Sequence, residues 1–159
     1  VVGATHRVGS TRSFASTLPL LYPMTPGIYH LLIYLPHNTT IEVGKLGSFR
    51  FPAGYYVYTG SALGGLEPRI ARHRRRKKHL RWHIDYLLQY GYITDVITRP
   101  TTEHLECHFN REVLSLPNCK IPVKGFGSSD CSCPAHLTYF EEKPSIPQQS
   151  WIYTSFSLK

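Results

Sequence analysis

At 159 residues the chain has the length of one domain and can bury roughly 70 % of the surface its unfolded form exposes. A hydrophobic content of 42 % with 13 % aromatic residues excludes a disordered chain, and no apolar run reaches the roughly 18 residues of a membrane span, so no membrane partner is expected. The formal net charge of +8 favours a polyanionic partner.

Residues 1–25 carry Arg7 and Arg12, many Ser and Thr and no acid. That composition suits a transit peptide, but a disordered N-terminal segment is the expectation. Pro19, Pro23 and Pro26 punctuate the entry to a domain expected over residues 26–140. Residues 28–35 form a short apolar run rich in strand formers, and Pro36-His37-Asn38 turns it. Residues 39–43 are β-branched and alternating, which predicts a second strand. Gly44, Gly47, Pro52 and Gly54 then predict a loop or bulged hairpin, and residues 55–59 a further strand.

Gly64-Gly65 leads into a helix with Leu66, Ile70 and His73 at helical spacing and Pro68 in its first turn. After a break within residues 74–79, Trp82, Tyr86 and Tyr90 predict a second amphipathic helix stopped by Gly91. Residues 92–98 read as a strand. Thr101-Thr102 predicts the cap of a helix beginning near Glu103, with Leu105, Phe109, Val113 and Leu116 as its buried stripe. A segment rich in Gly, Ser, Cys and Pro follows, and residues 141–159 read as a polar C-terminal tail. The expected fold class is α/β or α+β, with a small mixed, mainly antiparallel sheet flanked by helices.

The charge excess is local. Arg69, Arg72, Arg74, Arg75, Arg76, Lys77, Lys78 and Arg81 lie in one stretch without an acid, and the ten other basic residues match the ten acidic ones. Such a stripe repels itself unless a polyanion offsets it, so these side chains are candidates for gripping a nucleic-acid backbone; a solvated helix face is the plainer reading. Four cysteines in this length do not make a disulfide framework, and a reducing, cytoplasmic setting is the simplest reading. Cys131, Cys133 and His136, with Cys107 or His108 as a fourth ligand, invite a zinc reading. The spacing is not one of the common knuckles, so a tight turn is preferred and zinc is not expected.

Two tripeptides carry the strongest functional signal: Gly27-Ile28-Tyr29 opens the first strand, and Tyr58-Thr59-Gly60 closes a later one. Arg69 and His73 follow on the helix. Two phenols, a guanidinium and an imidazole suit phosphodiester chemistry, which needs a base for a water and positive charge for a phosphate.

With three further blocks, residues 51–65, 80–88 and 125–131, the chain resembles the GIY-YIG nuclease superfamily. Within it the blocks resemble a small prokaryotic branch of unassigned function, some members of which are fused to a base-excision endonuclease. The likeness covers about residues 27–140. It implies a metal-dependent endonuclease acting on DNA rather than RNA, with a DNA-repair enzyme as a partner. It implies that Tyr29 is the general base or orients the water, with Tyr58 beside it, and that Arg69 stabilises the scissile phosphate. A glutamate on a later helix would hold one Mg²⁺ or Mn²⁺; Glu106 in Leu105-Glu106-Cys107-His108-Phe109 fits that pattern, although Glu112 also flanks the helix stripe. His73 has a structural and a catalytic reading. The gap between Tyr29 and Tyr58 is longer than is usual in the superfamily, which predicts an extra hairpin within residues 36–54. Ser61 stands where some members have a lysine. An inactive nucleic-acid-binding module of the same fold and a zinc-stabilised structural domain are the alternatives.

Overall fold

The computed structural model describes residues 24–147 and 151–156. Within them the chain runs β1 (Gly27–Leu35), β2 (Thr39–Val43), β3 (Gly47–Phe51), β4 (Gly54–Ala62), α1 (Leu66–Arg74), α2 (His83–Leu87), β5 (Tyr92–Pro100), α3 (Glu106–Leu114), β6 (Leu137–Phe140) and β7 (Ile152–Ser155). Five strands form one sheet in the order β6-β4-β1-β5-β7, and β2 and β3 form a separate two-stranded sheet. The fold is α+β, and every described pairing is antiparallel rather than mixed.

The middle position of β1 explains its sequence. It is buried at every residue except half-buried Tyr34, because both faces of the sheet are covered. On one face Tyr29, Leu31, Ile33 and Leu35 join a core with Tyr56, Leu66, Ile84 and Leu87. On the other, Leu32 packs with Val57, Ile97, Val113 and Phe140 under α3. The register pairs Tyr29 with Gly60 and Leu31 with Tyr58, so both motif tyrosines project from the same face.

The β2–β3 hairpin lies within residues 36–54, where the long gap predicts one. Ile41, Val43 and Phe51 bury its inner face in the first core. Three boundaries differ from expectation. α2 ends at Leu87, and residues 88–90 continue as turns closed by Gly91 N donating to Leu87 O; Tyr90 is exposed, so no burial holds a further helical turn. α3 begins at Glu106, because the Thr101 hydroxyl accepts from Glu103 N and Leu105 N donates to Glu103 O, making a local turn first. Residues 141–159 are not only a tail: Ile152–Ser155 pairs with β5 as an edge strand. The expectation for the N-terminal segment falls, up to residue 23, outside the described residues. No helix among the described residues is long and apolar enough to cross a membrane.

Candidate functional site

β6 pairs with β4 only from Tyr55 to Tyr58, so among the described residues the last part of β4 has no strand on that side. A cavity of about 330 Å³ opens there, lined by Tyr29, Tyr58, Ser61, Arg69, Trp82 and Glu106, together with Gly60, Arg81, His83, Gly127, Ser129 and Asp130. Four of the five residues expected in the catalytic and metal roles therefore share one cavity. The rings of Tyr29 and Tyr58 are 6.3 Å apart, centroid to centroid. Gly60 makes this possible: a Cβ there would lie 2.5 Å from Tyr29 Cζ, so the ring can cross the neighbouring strand only over a glycine.

His73 is the exception. It is buried, it does not line the cavity, and it stands behind Tyr29 with Nε2 2.7 Å from the Tyr29 hydroxyl oxygen. Its contact is with Tyr29, not with the cavity. Burial above all, with the charges of Lys78, Arg69 and Arg72, lowers His73 to about 3, so the ring is neutral. Among the described residues its Nδ1 has no partner. A buried N–H without an acceptor is the costlier orphan, which assigns the proton to Nε2, donated to Tyr29. The Tyr29 O–H is then free to face the cavity. Burial raises Tyr29 well above the usual tyrosine range, opposed by Arg69, while Glu106 and Asp85 add to the rise. Tyr58 is raised as well, by burial and then by Tyr29.

Arg69 comes from α1, where Nη1 donates to Ser61 O at 3.1 Å and its guanidinium lies 4.5 Å from the Trp82 ring centre. Arg72 and Arg81 also approach that ring, at 4.1 and 5.5 Å. Trp82 thus gathers three cations through its π face, of which Arg69 and Arg81 line the cavity. The basic stripe is only partly a free surface. Arg72 forks onto buried Asp85 at 2.8 Å through both nitrogens, Arg76 donates to Leu88 O and Gln89 O, and Lys78 donates to His73 O and Arg72 O. These three brace α1 against α2. Burial would raise Asp85, but Arg72 and the N–H groups of Trp82 and Arg81 bring it down to about 2. Arg74, Arg75, Lys77 and Arg81 remain exposed, although Arg74 stacks on Phe156 at 3.9 Å.

Of the two glutamates on α3, Glu106 lines the cavity, whereas Glu112 pairs with His108 on the surface at 3.5 Å. Burial raises Glu106, but His136, Ser61 and Arg69 outweigh it and hold the carboxyl below its usual range. Glu106 Oε1 is 2.6 Å from His136 Nδ1, a close but bent approach. An ionised carboxylate facing a polar, solvent-open cavity fits a hard divalent cation, whose other ligands would be water and phosphate oxygens.

The expectation against zinc meets a contrary arrangement. Cys107, Cys131, Cys133 and His136 bring their ligand atoms within 4.8 Å of one another, a set that can hold a metal ion. Cys107 completes the group, not His108. Burial, then Cys133 and Cys131, push the Cys107 thiol up to about 12. The sequence named these residues, with Cys107 or His108 as the fourth, but its spacing missed that they converge, because Cys107 is far from the other three in the chain and joins them only through α3.

Reasoning from sequence also missed Trp82 and the Glu106–His136 pair. His83 and Asp85 make structural hydrogen bonds: Gly127 N donates to His83 Nδ1 at 3.0 Å, and Asp85 anchors Arg72. Fold and site define an α+β domain built around a cationic, tyrosine-lined cavity with a cysteine–histidine cluster at its flank. The chain belongs to the family described as Domain of unknown function DUF123, whose model matches residues 28–155. No curated protein and no solved structure matches it.

Proposed function

We propose that this protein is a metal-dependent endonuclease of the GIY-YIG type that hydrolyses phosphodiester bonds in DNA. One observation carries the reading: Tyr29 and Tyr58 from two strands, Arg69 from α1 and Glu106 from α3 line a single cavity open to solvent. A water oxygen would bond to phosphorus as the bond to the leaving 3′-oxygen breaks. Tyr29, its oxygen held by His73, orients that water and, in its ionised form, takes the proton to become the neutral phenol; Tyr58 packs beside it. Arg69 offers a planar fork to the phosphate oxygens and is fixed by Ser61 O and Trp82. Glu106 would hold Mg²⁺ or Mn²⁺, an ion that would supply positive charge to the leaving oxygen and to the phosphoryl group. Arg81 lines both this cavity and a neighbouring basic concavity that includes Arg75 and Lys77, a path along which a phosphate backbone can run.

Nicking assays with Mg²⁺ or Mn²⁺ on single-stranded, nicked, flapped and branched DNA test the proposal. Cleavage by the wild type, lost in Tyr29→Phe and Glu106→Ala while DNA binding persists, supports it. Binding without cleavage under all these conditions replaces it with an inactive binding module. Two features favour that second reading: Tyr29 is raised by burial, and Ser61 supplies no cation to lower it.

A further inference from the structure

Beside the cavity, three thiols and an imidazole converge with no disulfide among them. Cys131 Sγ is 3.3 Å and Cys107 Sγ 3.8 Å from His136 Nε2. A tetrahedral zinc ion, with sulfur at about 2.3 Å and nitrogen at about 2.0–2.1 Å, has sulfur–nitrogen edges of roughly 3.6 Å. The two separations bracket that edge. Three soft sulfurs and one imidazole select zinc over hard cations, and four protein ligands close the coordination sphere in the manner of a structural site.

The orientation of His136 adds a second, independent feature. Nε2 faces the thiols, while Nδ1 faces Glu106 Oε1 at 2.6 Å. Histidines bound to metal usually give their other ring nitrogen to a carboxylate, which fixes the tautomer and the ring. Without a metal, His136 would be a buried ring set against weak sulfur donors, in a region with little regular structure between α3 and β6.

We propose that Cys107, Cys131, Cys133 and His136 bind one structural zinc ion, and that Glu106 is the carboxylate that orients the histidine ligand. The ion joins the first turn of α3 to the loop before β6, closing a span of 29 residues between Cys107 and His136. It also places Glu106 twice over, through its bonded neighbour Cys107 and through the His136 ring. The structural ion then sets where the carboxylate points into the cavity. That last consequence rests on the nuclease reading; the zinc site itself does not.

Elemental analysis of the purified full chain tests the site directly. About one zinc per chain, released when a mercurial titrates the thiols, is the expected result. Cobalt(II) exchanged into the same protein should give intense tetrahedral d–d bands and thiolate-to-cobalt charge transfer. A chain folded by circular dichroism that retains no zinc, shows no such bands and has freely reactive thiols overturns the site; iron in place of zinc overturns the metal assignment. For the Glu106 link, Glu106→Ala should keep the cobalt bands but weaken zinc about 10–100-fold in competition with a chelator. Unchanged zinc affinity removes the link and leaves the site standing. None of these readouts needs DNA cleavage, so the failure of either proposal is distinguishable from the failure of the other.

Discussion

The side chain of Tyr29 is held by what lies beneath and behind it. Gly60 is directly opposite in the register and has no Cβ; His73 fixes the hydroxyl. Gly60→Ala should push the ring out of the cavity. A shift of about 1 Å at a reacting group costs on the order of 10²-fold in rate, and the overpacking should cost about 1–3 kcal/mol of stability. Nicking rates and thermal melts read the two effects; a variant with wild-type rate and melting temperature would refute the placement. A second expectation concerns protons. Because Tyr29 is raised above its usual range, its ionised fraction still grows at alkaline pH, so cleavage should climb roughly tenfold per pH unit up to about pH 9. Residual activity of Tyr29→Phe should lack that slope, and a wild-type profile flat from pH 7 to 9 would remove Tyr29 from the base role. The two tyrosines and Arg69 were legible from the motif. Periodicity could not choose Glu106 over Glu112, since both flank one helical stripe; the resemblance favoured Glu106, and the packing direction of α3 turns it into the cavity.

At the scale of elements, the β2–β3 hairpin was visible in sequence because β-branched alternation and glycines mark it. The edge strand β7 was not, because all four of its residues are exposed and carry no period-2 apolar signal. What holds β7 is specific. Asp95, itself buried, accepts from Tyr153 and Ser155 of that strand as well as from Thr94, and Lys143 pairs with it at 3.0 Å. Just before β7, Trp151 stacks on His30 at 4.6 Å and meets Phe109 edge-on at 4.9 Å. A chain ending at Pro147 strips two donors from a buried carboxylate and uncovers the edge of β5. Its unfolding free energy in urea should fall by about 2–4 kcal/mol. A loss below about 0.5 kcal/mol would mean that the strand is dispensable.

For the whole molecule, acid is the stress that its buried histidines predict. Burial lowers His30 to about 3, and burial with nearby cations does the same to His73. Unfolded, each would take a proton near pH 6.5. The unfolded state therefore binds more protons between about pH 6.5 and 3, and stability must fall as pH falls through that window, by up to about 1.4 kcal/mol per pH unit for each histidine. Asp85, lowered to about 2, adds a further loss only below about pH 4. Urea unfolding at pH 7, 6, 5 and 4 measures the slope, and an unchanged free energy over that range would show that neither ring is buried neutral. Composition and local pattern alone determined a mixed helix-and-strand fold with a mainly antiparallel sheet, a basic stripe and a tyrosine–arginine motif, because burial periodicity and turn chemistry are local properties of a chain. Tertiary structure alone decided that Arg72, Arg76 and Lys78 brace α1 and α2, that His73 stands behind Tyr29, and that Cys107 meets Cys131, Cys133 and His136. Those pairings depend on how separate elements pack, and such long-range contacts leave no periodic mark in the sequence.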